Sequence, residues 1–259
     1  MKTDFTVRLL SILVWGGILI ISSCNRSSQA KLTIAAAANM QYAIRDIIES
    51  FENEYDISCQ LVLSSSGKLT AQIQENAPYD VFLSADMKYP EQLYQNGRTT
   101  AIPLIYANGR LVLWSAVKGV SPSFEVLLSD EISHVAIANP QTAPYGQAAI
   151  EVLDNMNMEE DVKDKLVYGE SVSQTNHFIF SGAAGIGMTG QSVVLAGEMR
   201  NKGQWIEVDT SLHSPISQGI VILTNRSDFH KESLIFQEYL LSSSGQAILK
   251  KYGYIQRHE

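Results

Sequence analysis

From Lys31 to Asp86 the chain alternates apolar strand, small-residue turn and helix, and does so twice in succession. The first unit is Leu32-Thr33-Ile34, then Ala35-Ala36-Ala37-Ala38-Asn39, then a helical segment from Met40 to Tyr55. The second is Gln60-Leu61-Val62-Leu63, then Ser64-Ser65-Ser66-Gly67, then a helix from Lys68. A third strand, Asp80-Val81-Phe82-Leu83, closes on Ser84-Ala85-Asp86. Strands that alternate with helices in this way build a parallel sheet and an α/β fold. Each strand delivers the chain into a helix start, where N–H groups lack intrahelical partners and carry partial positive charge. Two such starts at the carboxyl edge of one sheet can share a small anion.

The alternation resumes downstream. His134 to Ala138 reads as a strand, Asn139 to Gly146 as a loop, and Gln147 to Asn155 as a helix. Val167-Tyr168-Gly169 leads through Glu170-Ser171-Val172-Ser173 into a helix that runs to about Ser181. Ala184 to Met188, Ile206 to Val208 and Gly219 to Leu223 read as strands, and Lys231 to Leu241 and Gly245 to Lys251 as helices. Ile102 to Ile105 and Arg110 to Trp114 read as extended, with Ala107-Asn108-Gly109 as the turn between them. The strand-to-helix turns thus fall into two groups, one before about residue 106 and one after it.

The first residues stand apart. Lys2 and Arg8 precede an apolar run, Leu9 to Ile21, which is short for a membrane span and ends at Ser22-Ser23-Cys24. This is the pattern of a secretory leader. The place of Cys24 resembles the lipobox of bacterial lipoproteins, in which cleavage precedes a cysteine that is then lipidated. Residues 1–23 are therefore expected to be the signal peptide and 24–30 a lipidated tether. About 235 residues remain, enough for one large or two modest domains. The whole chain has a net charge of −8, and losing Lys2, Arg8 and Asp4 with the leader makes it −9. That balance, with no basic cluster, argues against a nucleic-acid partner. Any capture of an anion has to be local.

Cys59 is the remaining cysteine and reads as a small buried hydrophobe. The five histidines are scattered without metal-ligand spacing. Ser64-Ser65-Ser66-Gly67-Lys68 has Val62 where a phosphate-binding loop needs glycine, and it lacks the G-x-S-x-G of a nucleophile elbow. Ser66 is read either as a helix cap or as an oxyanion donor, roles that one position can combine. Asn39 invites the same pair of readings, with four alanines before it that leave room for a ligand.

These segments resemble the molybdate-binding proteins of bacterial ABC transporters, which have the type II periplasmic-binding-protein fold. The resemblance rests on Leu32 to Met40, Ser64 to Leu69, Ala77 to Asp86 and Ala143-Pro144-Tyr145-Gly146, together with Gly245 to Ile248 and Tyr252-Gly253-Tyr254. It implies two lobes, each a mixed sheet flanked by helices, with the ligand in the cleft between them. Residues 31–108 plus 217–259 would form lobe I and 109–216 lobe II. Asn39 and Ser66 would be side-chain donors, and Tyr145 and Val172 would donate through backbone N–H groups. Ala38, Gly67 and Thr189 are further candidates; Thr189 stands where some members have a tyrosine. Lys68 would face solvent, and Tyr145→Ala would weaken binding much less than Ser66→Ala if only the Tyr145 backbone is used. The implied function is capture of molybdate, and of tungstate, by a lipid-anchored extracytoplasmic monomer that hands it to the transmembrane permease of an ABC importer. No cofactor or catalytic residue is implied. Two alternatives are a binding protein of the same fold for sulfate or phosphate, and a secreted serine hydrolase using Ser66.

Overall fold

Strand β1 (Leu32–Ala37) has a parallel partner on each side and is buried along its whole length, because Leu32, Ile34 and Ala36 enter one apolar cluster and Ala35 enters another on the opposite face. The partner strands are β2 (Cys59–Ser64) and β3 (Val81–Leu83). A strand covered on both faces reads as a continuous apolar run, which is why this segment shows no alternation. The computed structural model describes residues 31–226 and 228–256. The leader, the lipidation at Cys24 and the tether lie outside the described residues.

A single turn of 3-10 helix, Ala38–Met40, follows β1, and α1 (Ala43–Tyr55) begins only after it. The expected helix start at Met40 is thus moved three residues on. Helix α1 buries Ala43, Ile44, Ile47 and Phe51 and ends on Asp56 in the left-handed region. Helix α2 (Ser66–Gln74) connects β2 to β3, and α3 (Lys88–Gln95) follows β3. Strand β4 (Leu104–Gly109) includes the residues expected as a turn. Ala107, Asn108 and Gly109 extend because β10 (Ile216–Ile222) pairs with them, a partner more than 100 residues away.

The second sheet holds β5 (Leu111–Ser115), β6 (Val135–Ala138), β7 (Leu166–Gly169), β8 (Ile186–Gly190) and β9 (Gln204–Glu207). Its helices are α4 (Phe124–Leu128), α5 (Pro144–Asn155), α6 (Glu159–Val162), α7 (Val172–Phe180) and α8 (Gln191–Val194). Pattern reading places no helix at α4, α6 or α8, since four or five residues cannot display a 3.6-residue period. The strand orders are β2-β1-β3-β10-β4 and β7-β6-β8-β5-β9. In each sheet three parallel strands adjoin one antiparallel strand, β10 in the first and β5 in the second. This is the two-sheet α/β architecture expected. Helices α9 (His230–Leu241) and α10 (Ser243–Lys251) pack on the first sheet, where Phe236 and Tyr239 join Phe51 in its core.

The chain leaves the first sheet through Gly109-Arg110-Leu111 and returns through residues 208–215 into β10. These connections run side by side, with Ile216 opposite Gly109 and Ser217 opposite Asn108. A paired, two-stranded bridge of this kind can bend while each sheet stays rigid.

Cys59 is half-buried rather than enclosed, because it begins an edge strand. It lines an open groove of about 510 Å³ with Arg45, Glu49 and Glu52. Burial pushes its thiol up to about 12, and nearby Glu52 adds to the effect. The folded protein should therefore alkylate with iodoacetamide at pH 8 far more slowly than after unfolding in guanidinium. A raised thiol pKa also means that the unfolded chain ionises first. Stability contributed at this site is complete below about pH 8.5 and declines as pH rises toward 12. Equal alkylation rates in the folded and unfolded protein would contradict this.

Candidate anion-binding site

Four strand-to-helix turns, two from each sheet, meet across the cleft. The turn after β1 carries Ala38, Asn39 and Met40, all buried. The turn after β2 carries Ser65 and Ser66, at 3% and 0% exposure. From the second sheet come Thr142 to Tyr145, leading into the first turn of α5, and Ser171 to Ser173, leading into the first turn of α7. The Gly67 N–H donates to the Thr142 carbonyl at 2.9 Å, which joins the second and third turns. Ser173 Oγ donates to Gln41 Oε1 at 2.5 Å, which joins the fourth to the first. Ser192 Oγ donates to the Asn39 carbonyl at 2.8 Å. Lys68 is tied to Glu170 at 2.7 Å rather than directed freely to solvent, so it bridges the cleft mouth. Both side chains are largely exposed, and such a pair adds little.

Each expected site residue has a definite place. Ser66 Oγ accepts from the Ala85 N–H at 3.0 Å. That bond uses a lone pair and leaves the hydroxyl proton free to donate. Ser66, Tyr145 and Val172 open α2, α5 and α7, where N–H groups have no intrahelical partner. Among the described residues no backbone carbonyl accepts from the N–H of Asn39, Ser66, Tyr145 or Val172.

Three expectations change in detail. The side-chain amide of Asn39 is already committed, with Nδ2 donating to Gln218 Oε1 and to Tyr254 Oη, each at 3.0 Å. The Gly67 N–H is spent on Thr142, and the Thr189 hydroxyl donates to Asn176 Oδ1 at 2.5 Å. Side chains within reach of one another in a closed cleft satisfy each other, and local sequence does not reveal those partners. Ala38 is buried in the first turn and offers only its backbone. Tyr145 is 2% exposed, and its hydroxyl accepts from Gln218 Nε2 at 3.1 Å. Tyr145→Ala would therefore empty a large buried volume and should lower stability, whatever the backbone N–H does.

Pattern reading missed Ser65 and Asn176. Ser65 Oγ, Thr142 Oγ1, Asn176 Nδ2 and Asn39 Oδ1 are buried without a hydrogen-bond partner among the described residues. Buried polar atoms are nearly always paired, so four orphans on cleft-forming segments mark a polar site. Ser65 occupies the cap position of α2 yet makes no capping bond. Within a run of three serines, only the helix register shows which one is the cap.

The site is electrically neutral in its own side chains. Burial holds the Tyr106 and Tyr145 phenols well above their usual range, and raises Tyr254 to about 12. Among the described residues no histidine or carboxylate hydrogen-bonds Ser66 Oγ, so its hydroxyl has no base beside it. Among the same residues no group of three or more His, Cys, Asp or Glu could hold a metal ion.

The chain matches the model of the bacterial extracellular solute-binding protein family over residues 32–255. It is 35% identical over 253 residues to the molybdate-binding protein ModA of Azotobacter vinelandii, covering 97% of this chain and 98% of that protein. A Bacillus subtilis protein, YvgL, named as an ABC transporter substrate-binding lipoprotein, is 30% identical over 239 residues, covering 90% of this chain and 89% of its own length. The solved periplasmic molybdate-binding protein of Azotobacter vinelandii superposes with a TM-score of 0.84 at 30% identity, covering 88% of this chain and 100% of that one.

Proposed function

Because this chain belongs to the bacterial extracellular solute-binding protein family, we propose that it captures molybdate and presents it to the permease of an ABC importer. The observation that carries the reading is the meeting of four helix starts, from two sheets, around donors without partners. Molybdate is a tetrahedral dianion that only accepts hydrogen bonds. A ring of N–H and hydroxyl donors complements it without any basic side chain.

The donors are the N–H groups of Asn39, Ser66, Tyr145 and Val172 and the hydroxyls of Ser65 and Ser66. Each bond to a charged acceptor is worth roughly 1.5–3 kcal/mol. About six of them supply roughly 9–18 kcal/mol, which spans the roughly −8 to −12 kcal/mol of micromolar to nanomolar binding and in its upper part leaves a surplus against ordering and desolvation. Tungstate has nearly the same size and charge and binds comparably on this account. Sulfate is smaller, and in a rigid ring its oxygens stand too far from some donors. Residues 31–108 with 217–259 act as one lobe and 109–216 as the other, bending at the paired connections. The closed form is what the permease recognises.

The relatives are solute-binding proteins, and a unit of this kind performs no chemistry on its ligand and needs no cofactor. The leader pattern and the lipoprotein relative support anchoring through Cys24, with the folded unit a monomer outside the cytoplasm. Titration calorimetry on the form lacking residues 1–24 tests the reading. Molybdate and tungstate should bind one per chain, with sulfate and phosphate at least tenfold weaker. Sulfate or phosphate as the tightest ligand would replace molybdate in this account. No heat with any oxyanion, together with labelling of Ser66 by a serine-reactive phosphonate, would replace binding with hydrolysis.

A further inference from the structure

We infer that Gln218, on the return strand of the bridge, is a positioning residue that couples bending of the bridge to the turns that grip the ligand. Gln218 is fully buried. Its Oε1 accepts from Asn39 Nδ2 at 3.0 Å and from Tyr106 Oη at 2.7 Å, and its Nε2 donates to Tyr145 Oη at 3.1 Å. One side chain thus touches the first turn of one lobe, the third turn of the other, and the outgoing strand of the bridge.

The backbone is shaped to put it there. The register between β10 and β4 shifts at Gln218 and Gly219, so that Gln218 faces Ala107, Gly219 faces Ile105, and Tyr106 has no opposite residue. A bulge of this kind re-aims a side chain, and here it brings the Tyr106 hydroxyl onto Gln218. Gly109 completes the arrangement. A Cβ there would lie 2.1 Å from Tyr145 Oη and 2.6 Å from Gln218 Nε2, so a bare backbone is needed for both bridge strands to reach the phenol. Tyr254 closes the far side, with its hydroxyl donating to the Asn39 carbonyl at 3.1 Å.

Tyr145 and Asn39 offer their N–H groups to the ligand while their side chains are pinned to the same glutamine. Opening the cleft must stretch the Gln218–Tyr145 bond, because its two ends belong to the bridge and to the second lobe. The network therefore favours the closed form before the ligand arrives and slows the ligand's release afterwards. None of these phenols ionises at neutral pH, so the bias is constant over the physiological range.

This inference rests on the molybdate reading for its affinity arm, and a ligand-free arm separates the two. Gln218→Met keeps the length and removes the polar partners; Tyr145→Phe removes one hydroxyl and is the milder change. Each variant is followed by molybdate dissociation rate, by small-angle scattering without ligand, and by melting temperature as a folding control. Gln218→Met should release molybdate about tenfold faster or more, since it strands several buried polar groups. Its unliganded radius of gyration should rise, and Tyr145→Phe should do the same to a smaller degree. The double variant should fall short of the product of the single effects, because both break one bond. Wild-type release and wild-type scattering in Gln218→Met, or full multiplicativity in the double variant, overturns the inference. If Gln218→Met does not fold, Tyr145→Phe decides alone: faster release with a larger radius supports coupling, and no change in either refutes it. If the wild type binds no oxyanion, the molybdate reading has failed, and unliganded scattering alone decides for or against Gln218.

Discussion

Ser66→Ala is expected to weaken molybdate binding by one to two orders of magnitude, measured by calorimetry on the form lacking residues 1–24. Two bonds are at stake. Among the described residues no neighbour accepts the hydroxyl proton, so it is available to the ligand, and a donor to a charged acceptor in a dry site is worth roughly 1.5–3 kcal/mol. That range corresponds to about a 10- to 150-fold change in affinity. The same oxygen accepts from the Ala85 N–H, which the alanine variant leaves buried and unpaired. An orphaned donor costs about 1–3 kcal/mol, so the melting temperature should fall as well. Ser66→Thr keeps both the lone pair and the proton, and it should recover part of the affinity if its added methyl is accommodated. Unchanged affinity in Ser66→Ala would remove Ser66 from the ligand shell and shift the hydroxyl role to Ser65, whose Oγ is buried without a partner among the described residues.

Gly146→Ala is expected to be the most damaging single-methyl change among the cleft segments. The added Cβ would stand 2.1 Å from the Ala138 carbonyl oxygen and 2.7 Å from its carbon. Both are backbone atoms at the end of β6, where no rotamer change can relieve the clash. Helix α5 must then back away from the sheet. Overpacking commonly costs 1–3 kcal/mol, and a backbone obstacle belongs at or above the top of that range, about 3 kcal/mol. The neighbouring Tyr145 N–H moves with the helix, and the phenol loses its seat against Gly109 and Gln218. The variant should unfold at clearly lower denaturant and bind molybdate at least tenfold more weakly. A stable, tight-binding Gly146→Ala would show that α5 can shift without disturbing the site, and the third turn would lose its place in the donor ring.

Both effects arise at helix starts, and helix starts are the part of this protein that can be read without coordinates. Asn39, Ser66, Tyr145 and Val172 are each reached by a strand that ends in small residues, and each opens a helical turn in the structure. Strand period, capping residues and the polarity of a helix end depend on neighbours a few residues apart, so a local stretch carries them. The reading is weaker where the element is short, as at α4, α6 and α8. It errs where a distant strand decides, as at Ala107 to Gly109, which look like a turn and are held extended by β10. Ser64, Ser65 and Ser66 differ only in helix register, which separates the cap at Ser65 from the residue after it.

The order of apolar runs and small-residue turns was enough to determine an α/β chain with two sets of donor-rich helix starts, because those signals are written in nearest neighbours. Which donors remain free was decided only by the fold. The Asn39 amide was taken by Gln218, 179 residues away, and the Gly67 N–H by Thr142 in the other sheet. Gln218 shows no local signal at all, since its role comes from a register shift between two strands that meet only in the folded chain. Hydrogen bonds across such distances follow from how the sheets are set against each other, which no short stretch of residues encodes.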